Sequence, residues 1–200
     1  MVRAFYSILS FLALEIASYE IIALTNLCTS LIRLSCGTGT IGLTCMKKGA
    51  VGKIIGIDIS KSAIEDAIKN SEKNGYCGDD QARFIASRAE LVMSDETRKV
   101  DCPMVAVVDP ARDGLHGDVL RALRNKKKIK RIVYVSCNPT GSLIKDAAVL
   151  CSPPTKKYFE APFKITSAQP VDMFPYTSHC EMVMVFDRMT EDDLAEGDAK

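Results

Sequence analysis

Leu31-Ile32-Arg33-Leu34-Ser35-Cys36-Gly37-Thr38-Gly39-Thr40-Ile41-Gly42-Leu43 passes from a short apolar run through a glycine-rich turn into a helical pattern. A G-x-G-x-x-G spacing over 37–42, set between a strand and a helix, lets backbone approach a ligand and presents a helix N-terminus to it. Tight-turn chemistry alone would also account for the glycines, so the flanking sequence has to decide. About 20 residues beyond the loop, a second apolar run, 53–58, ends on Asp58, where a carboxylate can accept hydrogen bonds from ribose hydroxyls. Loop and acid together point to a nucleoside cofactor. They do not distinguish a nicotinamide cofactor from S-adenosylmethionine, since both present a ribose.

Outward from this stretch, short β-branched runs alternate with longer helical patterns. Residues 31–35, 53–58, 83–86, 104–109 and 131–136 read as strands, nearly continuously apolar, as a parallel sheet covered on both faces requires. Residues 41–48, 61–74, 115–125 and 141–150 read as helices, with Ser60 as a cap and Asn74-Gly75 as a stop for the second. The expected fold class is α/β, a doubly wound, mostly parallel sheet with right-handed crossovers. After Pro153-Pro154 the pattern changes: 158–166 and 181–186 read as two further strands separated by a long loop, antiparallel at one edge. Residues 1–30 form an atypical segment with a buried or partner-facing helix, 31–188 the domain, and 189–200 a disordered acidic tail.

The chain has 200 residues, 47% of them hydrophobic, enough for one compact core. The formal net charge of +1 hides an asymmetry, because five acids against Lys200 make 189–200 net −4 and leave +5 on 1–188. Seven cations fall between Arg121 and Arg131, either a solvated helix end and turn or a contact for RNA phosphates. Eight cysteines without a C-x-x-C pair fit buried thiols in a reducing compartment better than a disulfide framework or a zinc or iron–sulfur site. The apolar run 4–14 behind Arg3 resembles the start of a signal, but Glu15 and Glu20 interrupt it and no stretch reaches the length of a spanning helix.

Ligands of open α/β sheets bind at the carboxyl ends of the strands, so the residues there are the informative ones. The glycine loop and Asp58 follow the first and second strands, Asp109-Pro110-Ala111-Arg112 the fourth, and Cys137-Asn138-Pro139 the fifth. A lone cysteine is usually packing, but Cys137 would project over the crevice among polar, turn-forming neighbours, which suits a reactive thiol. Pro170 to Glu181 adds two prolines, two aromatics, His179 and a carboxylate in one stretch.

Four ordered motifs now become specific: C-G-T-G-T-I-G-L at 36–43, V-V-D-P-A-R-D-G-L-H at 107–116, V-Y-V-S-C-N-P at 133–139 and P-V-D-M-F-P-Y-T-S-H-C-E at 170–181. Over about 34–188 the chain resembles the RNA uracil-C5 methyltransferases, most of all the eukaryotic tRNA enzymes that make 5-methyluridine in the T loop. The resemblance implies a Rossmann-like class I methyltransferase fold with a seven-stranded sheet and an antiparallel strand at its edge, using S-adenosylmethionine. It implies Cys137 as nucleophile, Glu181 as base, Asp109 where cofactor and uracil meet, and Arg112 supporting the substrate side. Ser35, Gly37, Gly39, Thr40, Asp58 and Asp109 would hold the cofactor, and Phe174 or Tyr176 could stack on the flipped base. Two departures stand out: Arg33 occupies a position where the family carries an acid, and Ala111 replaces the second proline of D-P-P-R.

The implied protein is an intracellular monomer, cytoplasmic or nuclear, acting on RNA, with no membrane and no metal. The family's upstream segment and RNA-binding domain are not recognisable in 1–30, so the expectation is an N-terminally truncated catalytic domain. Two alternatives remain: a non-catalytic remnant acting as a binding protein, and a nicotinamide oxidoreductase, which leaves Cys137 and the 170–181 stretch unexplained.

Overall fold

The computed structural model describes residues 29–172, 176–177 and 179–197; the N-terminal segment expected over 1–30 lies almost wholly outside them, as does Phe174. Seven strands form one sheet in the order β3-β2-β1-β4-β5-β7-β6. In chain order these are β1 (Ser30–Leu34), β2 (Lys53–Asp58), β3 (Ala82–Ala86), β4 (Met104–Val108), β5 (Ile129–Ser136), β6 (Phe163–Val171) and β7 (Glu181–Arg188). Among the described residues six helices accompany them: α1 (Thr40–Lys47), α2 (Lys61–Lys73), α3 (Ala89–Arg98), α4 (Gly117–Asn125), α5 (Ser142–Cys151) and α6 (Glu191–Gly197). The first five strands are parallel, and β7 runs antiparallel to both β5 and β6. This is the doubly wound, mostly parallel sheet with antiparallel pairing at one edge that the sequence implies.

Side chains of the central strands alternate between two apolar clusters, one on each face of the sheet. Ile32, Ile55, Ala106 and Ile132 pack with Met93, Leu123, Leu143 and Leu150 of α3, α4 and α5. Leu31, Ile54, Val105 and Val133 pack with Leu43, Cys45 and Met46 of α1. Burial on both faces is why these strands read as continuous apolar runs rather than alternating ones. Successive strands step outward from β1 to β3, then the chain crosses back to place β4 on the other side of β1. That reversal opens a crevice between the ends of β1 and β4.

Several boundaries differ from the sequence reading, each for a local reason. β1 ends at Leu34 because Ser35 takes φ 54°, a left-handed conformation that cannot continue a strand. α3 was not anticipated: its buried residues are Met93, Glu96 and Thr97, so two of three are polar and the apolar period is faint. The strand expected over 158–166 starts later, at Phe163, because Arg124 holds the carbonyls of Ser152, Glu160 and Ala161 in a loop. β6 is an outer strand exposed at most positions, with no alternation to mark it, and it absorbs Pro170 and Val171 from the expected loop.

Within the tail expected over 189–200 to be disordered, Glu191–Gly197 is helical, and 198–200 lie outside the described residues. Thr190 and Asp193 cap one another's backbone N–H groups, Asp193 accepting from Thr190 N at 2.9 Å and Thr190 Oγ1 from Asp193 N at 3.3 Å. Three acids in the first turn favour the helix dipole, and Lys164 of β6 reaches Asp193 at 2.5 Å. The Lys164 and Thr190 hydrogen bonds hold the Asp193 carboxyl down at about 2.

The third glycine of the loop acts through packing. A Cβ on Gly42 would sit 2.9 Å from Ile54 Cγ2, so α1 lies on β2 at a distance only glycine allows. Gly42→Val should overpack this contact at a cost of about 1–3 kcal/mol. Thermal denaturation should then show a melting temperature lower by about 2–4 °C for each kcal/mol.

Candidate active site

Every strand end that carries a predicted site residue opens onto the same edge of the sheet. Ser35 and Gly37 follow β1, Asp58 ends β2, Asp109 follows β4 and Cys137 follows β5. Glu181 is the first residue of β7, and because β7 runs backward its beginning lies at the edge where the parallel strands finish. The last β5–β7 pair is Ser136 with Met182. One step further along the same register would set Cys137 opposite Glu181.

The glycine loop is built to admit a ligand. Gly37 has φ 53° and nothing within 4 Å of an added Cβ, so its outer side is open. Gly39 has φ 80° and starts α1, where a Cβ would press on Phe84 and Ala67 at 3.1 and 3.2 Å. Ser35 holds its positive φ without glycine's freedom, a strain of about 1–3 kcal/mol of the kind found at functional turns. Thr40 is exposed at the first turn of α1, its hydroxyl 3.1 Å from that of Thr38. Asp58 accepts from Gly37 N at 2.8 Å and from Ser60 N at 2.9 Å, which fixes its carboxylate beside the loop.

A cavity of about 240 Å3 lies over this edge, lined by Ser35, Asp58, Ile59, Asp109 and the turn 87–90 after β3. The 87–90 turn escaped the sequence reading, although the strand-end rule that selected Asp58 and Asp109 applies equally to β3. Asp146 was also missed. This acid sits at a core-facing position of α5 and is buried. It accepts from Tyr134 Oη at 2.6 Å and from Leu115 N at 2.8 Å, and so ties the 109–116 loop to β5. The signal was available: Leu143, Asp146 and Leu150 share one helical face, and an acid on an apolar face needs partners. Burial and the Asp146 bond push the Tyr134 phenol up, so it stays protonated as the donor. Asn138, between Cys137 and Pro139, donates to Arg112 O at 3.0 Å and links the two motif loops. The Arg112 side chain itself is exposed.

Arg33 resolves differently from a cation facing the cavity. Its residue is 4% exposed, and Nη2 reaches Asp109 Oδ2 at 3.2 Å while Nη1 donates to Leu34 O. Its Nε has no hydrogen-bond partner among the described residues. Burial pulls the guanidinium down and the Asp109 charge opposes that. Glu181, 7% exposed, is pushed up, first by burial and then by the negative charge of Asp109. Asp109 therefore stands between a buried cation and a buried carboxyl, all at the end of the sheet's central strands.

The seven described cysteines are free thiols; Cys36 and Cys45 are buried, and burial raises them to about 12 and 11. Cys137 is half-buried and at the site edge. Tyr176 is fully exposed, at φ 66°. Among the described residues no group of three or more His, Cys, Asp or Glu side chains could hold a metal, and no helix is long and apolar enough to cross a membrane.

The chain matches the family model described as "Methyltransferase domain" over residues 29–170. It is 39% identical over 163 residues to a zebrafish (Danio rerio) protein named tRNA (uracil-5-)-methyltransferase homolog B, covering 80% of this chain and 33% of that protein. It is likewise 39% identical over 164 residues to the mouse (Mus musculus) homolog A, covering 82% of this chain and 26% of that protein. The chain thus spans about a quarter to a third of the length of these curated relatives. Among solved structures, magnesium protoporphyrin IX methyltransferase from Synechocystis PCC 6803 with bound SAM superposes with a TM-score of 0.62 at 11% identity, over 94% of this chain and 84% of that one. At that identity the likeness speaks for the fold. A strand-end site on a doubly wound sheet, with a family model over most of its length, makes this chain a member of the methyltransferase-domain family, similar in sequence to the tRNA (uracil-5-)-methyltransferases.

Proposed function

We propose that the chain transfers a methyl group from S-adenosylmethionine to carbon 5 of a uridine in RNA, the T-loop uridine of tRNA, through a covalent Cys137 adduct with Glu181 as base. What supports this reading is the β5–β7 register, which extended by one residue would set Cys137 opposite Glu181, together with the effect of the Asp109 charge on Glu181. A soluble monomer in the cytoplasm or nucleus, with RNA as its partner, fits the same reading.

The residues present suit the cofactor. Asp58 is fixed by two backbone donors and can still accept from ribose hydroxyls. Ile59, exposed at the cavity wall, offers an apolar surface to a base. Ser35, Gly37, Gly39 and Thr40 line the turn where backbone can approach, and Asp109 faces the reactive end. When bound there, the cofactor supplies an electrophilic methyl group on a sulfonium.

Carbon 5 of uracil is too weak a nucleophile to take that methyl group unaided. Addition of the Cys137 thiolate to carbon 6 would move electron density onto carbon 5, which would form the new carbon–carbon bond as the methyl–sulfur bond broke and S-adenosylhomocysteine was left. Glu181 removes the carbon 5 proton, the ring double bond re-forms, and the carbon–sulfur bond breaks to release Cys137. Arg112, exposed near the mouth, is placed to meet the RNA side. Asp109 raises the proton affinity of Glu181, which suits a base that must hold a proton after taking it from carbon.

The second reading, a remnant that binds without catalysing, draws on Arg33, whose buried guanidinium occupies one oxygen of Asp109. Calorimetry with S-adenosylhomocysteine separates the two, micromolar affinity counting against the remnant.

With a 5-fluorouracil-substituted T-arm RNA and cofactor, a covalent protein–RNA band should form on a denaturing gel. No band, or one that persists in Cys137→Ala, overturns the assignment. With ordinary RNA, Glu181→Gln should accumulate the adduct and reduce turnover by about 10²–10⁴-fold, the usual contribution of a general base. The pH profile of turnover follows from the raised Glu181 carboxyl. Activity needs the carboxylate, so it should fall as pH drops, with the inflection above the ordinary glutamate range. Asp109→Asn removes the neighbouring negative charge, and the residual activity should show that inflection at lower pH.

A further inference from the structure

The basic run between Arg121 and Arg131 does not form one surface. Arg121 pairs with Asp118, Lys128 with Asp101 and Arg131 with Asp187, and Arg124 is 0% exposed. Lys126 is different: it lines a groove of about 510 Å3 between α3, α4 and the segment after Pro154, together with Lys156, Lys157 and Phe159. Among the described residues no carboxylate lies within ion-pair distance of Lys126, Lys156 or Lys157. Burial, then the nearby Arg98 charge, pulls the Lys126 ammonium down. Phe159 is 63% exposed, an unusual position for a phenylalanine with no apolar cover.

This arrangement is held rigidly from beneath. Arg124 donates to Glu160 O and Ala161 O at 2.7 and 2.8 Å and to Ser152 O at 3.0 Å. Asn125 donates to Lys157 O at 2.8 Å and accepts from Phe159 N at 3.0 Å. The backbone under Lys157 and Phe159 is thus fixed before any partner arrives, which lowers the ordering cost of binding. The groove also leads toward the active site, since Glu90 lines both this groove and the cavity over the strand ends.

Cations free of carboxylate partners around a groove, with a flat ring held outward among them, match a polyanion that carries flat rings of its own. We propose that the α3–α4 groove is an RNA-docking site, Lys126, Lys156 and Lys157 meeting phosphates and Phe159 stacking on an unpaired base. The site rests on the reading of the chain as an RNA enzyme and adds where, away from the reacting uridine, the RNA is held. Glu90 and Asp118 also line the groove, but each is already paired, with Arg88 and Arg121.

The test uses the 200-residue chain, a fluorescently labelled tRNA T-arm stem–loop and anisotropy titrations over a range of salt. The triple variant Lys126→Gln, Lys156→Gln, Lys157→Gln should bind about tenfold or more weakly. Its log K against log salt slope should be shallower by about 2, because three phosphates are no longer neutralised and fewer counterions are released. Phe159→Ala should weaken binding about fivefold or more, with the salt slope unchanged. Melting temperature and S-adenosylhomocysteine affinity report that each variant is folded. If the parent binds the RNA and both variants bind it equally well, the groove is not the docking site, although the RNA reading stands. If the parent binds S-adenosylhomocysteine but not the RNA, the RNA reading itself fails and the groove with it. If the triple variant loses affinity for a polyglutamate peptide while keeping its RNA affinity, the groove serves an acidic protein segment and the proposal is overturned.

Discussion

Strands buried on both faces leave almost no place for a polar side chain except at their ends. β1 and β4 are buried at every position, and Val105, Val107, Val133 and Val135 belong to the apolar cluster that includes Leu43, Cys45 and Met46 of α1. Polar groups are therefore concentrated at the edge where the strands finish, and the site is assembled there by exclusion as much as by attraction. Arg33 is the exception, a cation inside β1 that remains tolerable because Asp109 sits across the crevice from it. Loss of Asp109 would leave the buried Arg33 guanidinium without its carboxylate, whereas loss of Arg33 would leave Asp109, 45% exposed, to solvent. The sheet's centre and the site's central acid are thus linked through one contact.

The same exclusion made much of the fold legible in the sequence. Five parallel strands announced themselves as apolar runs, and Ser60 capped α2 as its side chain suggested, accepting from Ala63 N at 3.3 Å. What escaped was whatever lacked an apolar rhythm. α3 buries Glu96, whose charge is met by Arg83 at 3.1 Å and Lys99 at 2.6 Å, so a polar residue occupies a core-facing turn. β6 is exposed along most of its length, and its boundaries are set by Arg124 and Arg188, which satisfy carbonyls far away in the chain. Such long-range bonds leave no local trace. The short helix at 191–197 was misread because acidity was taken as a sign of disorder, whereas its cap and its Lys164 contact depend on residue order rather than composition.

For the candidate site, the strand-end positions can be read from the sequence, whereas the residues that brace the loops between them cannot. Asp58, Asp109, Cys137 and Glu181 stand at positions that topology makes special. Asp146 and Asn138 stand at ordinary positions and act by holding loops, Asp146 through Leu115 and Tyr134, Asn138 through Arg112. Support of this kind becomes visible only when the loops it joins are brought together in space.

The backward course of β7 has a consequence for the order in which the chain acquires its parts. The glycine loop, Asp58, Asp109 and Cys137 all precede residue 140, and the parallel strands that carry them pair among themselves. Glu181 arrives only after the chain has travelled along the outer β6 and turned back to fill the gap beside β5. During synthesis the parallel strands, with Asp58, Asp109 and Cys137 at their ends, can therefore assemble before Glu181 exists. The step that inserts β7 covers β5 and brings Glu181 to that edge in a single event, so the arrival of this carboxyl and the completion of the sheet coincide.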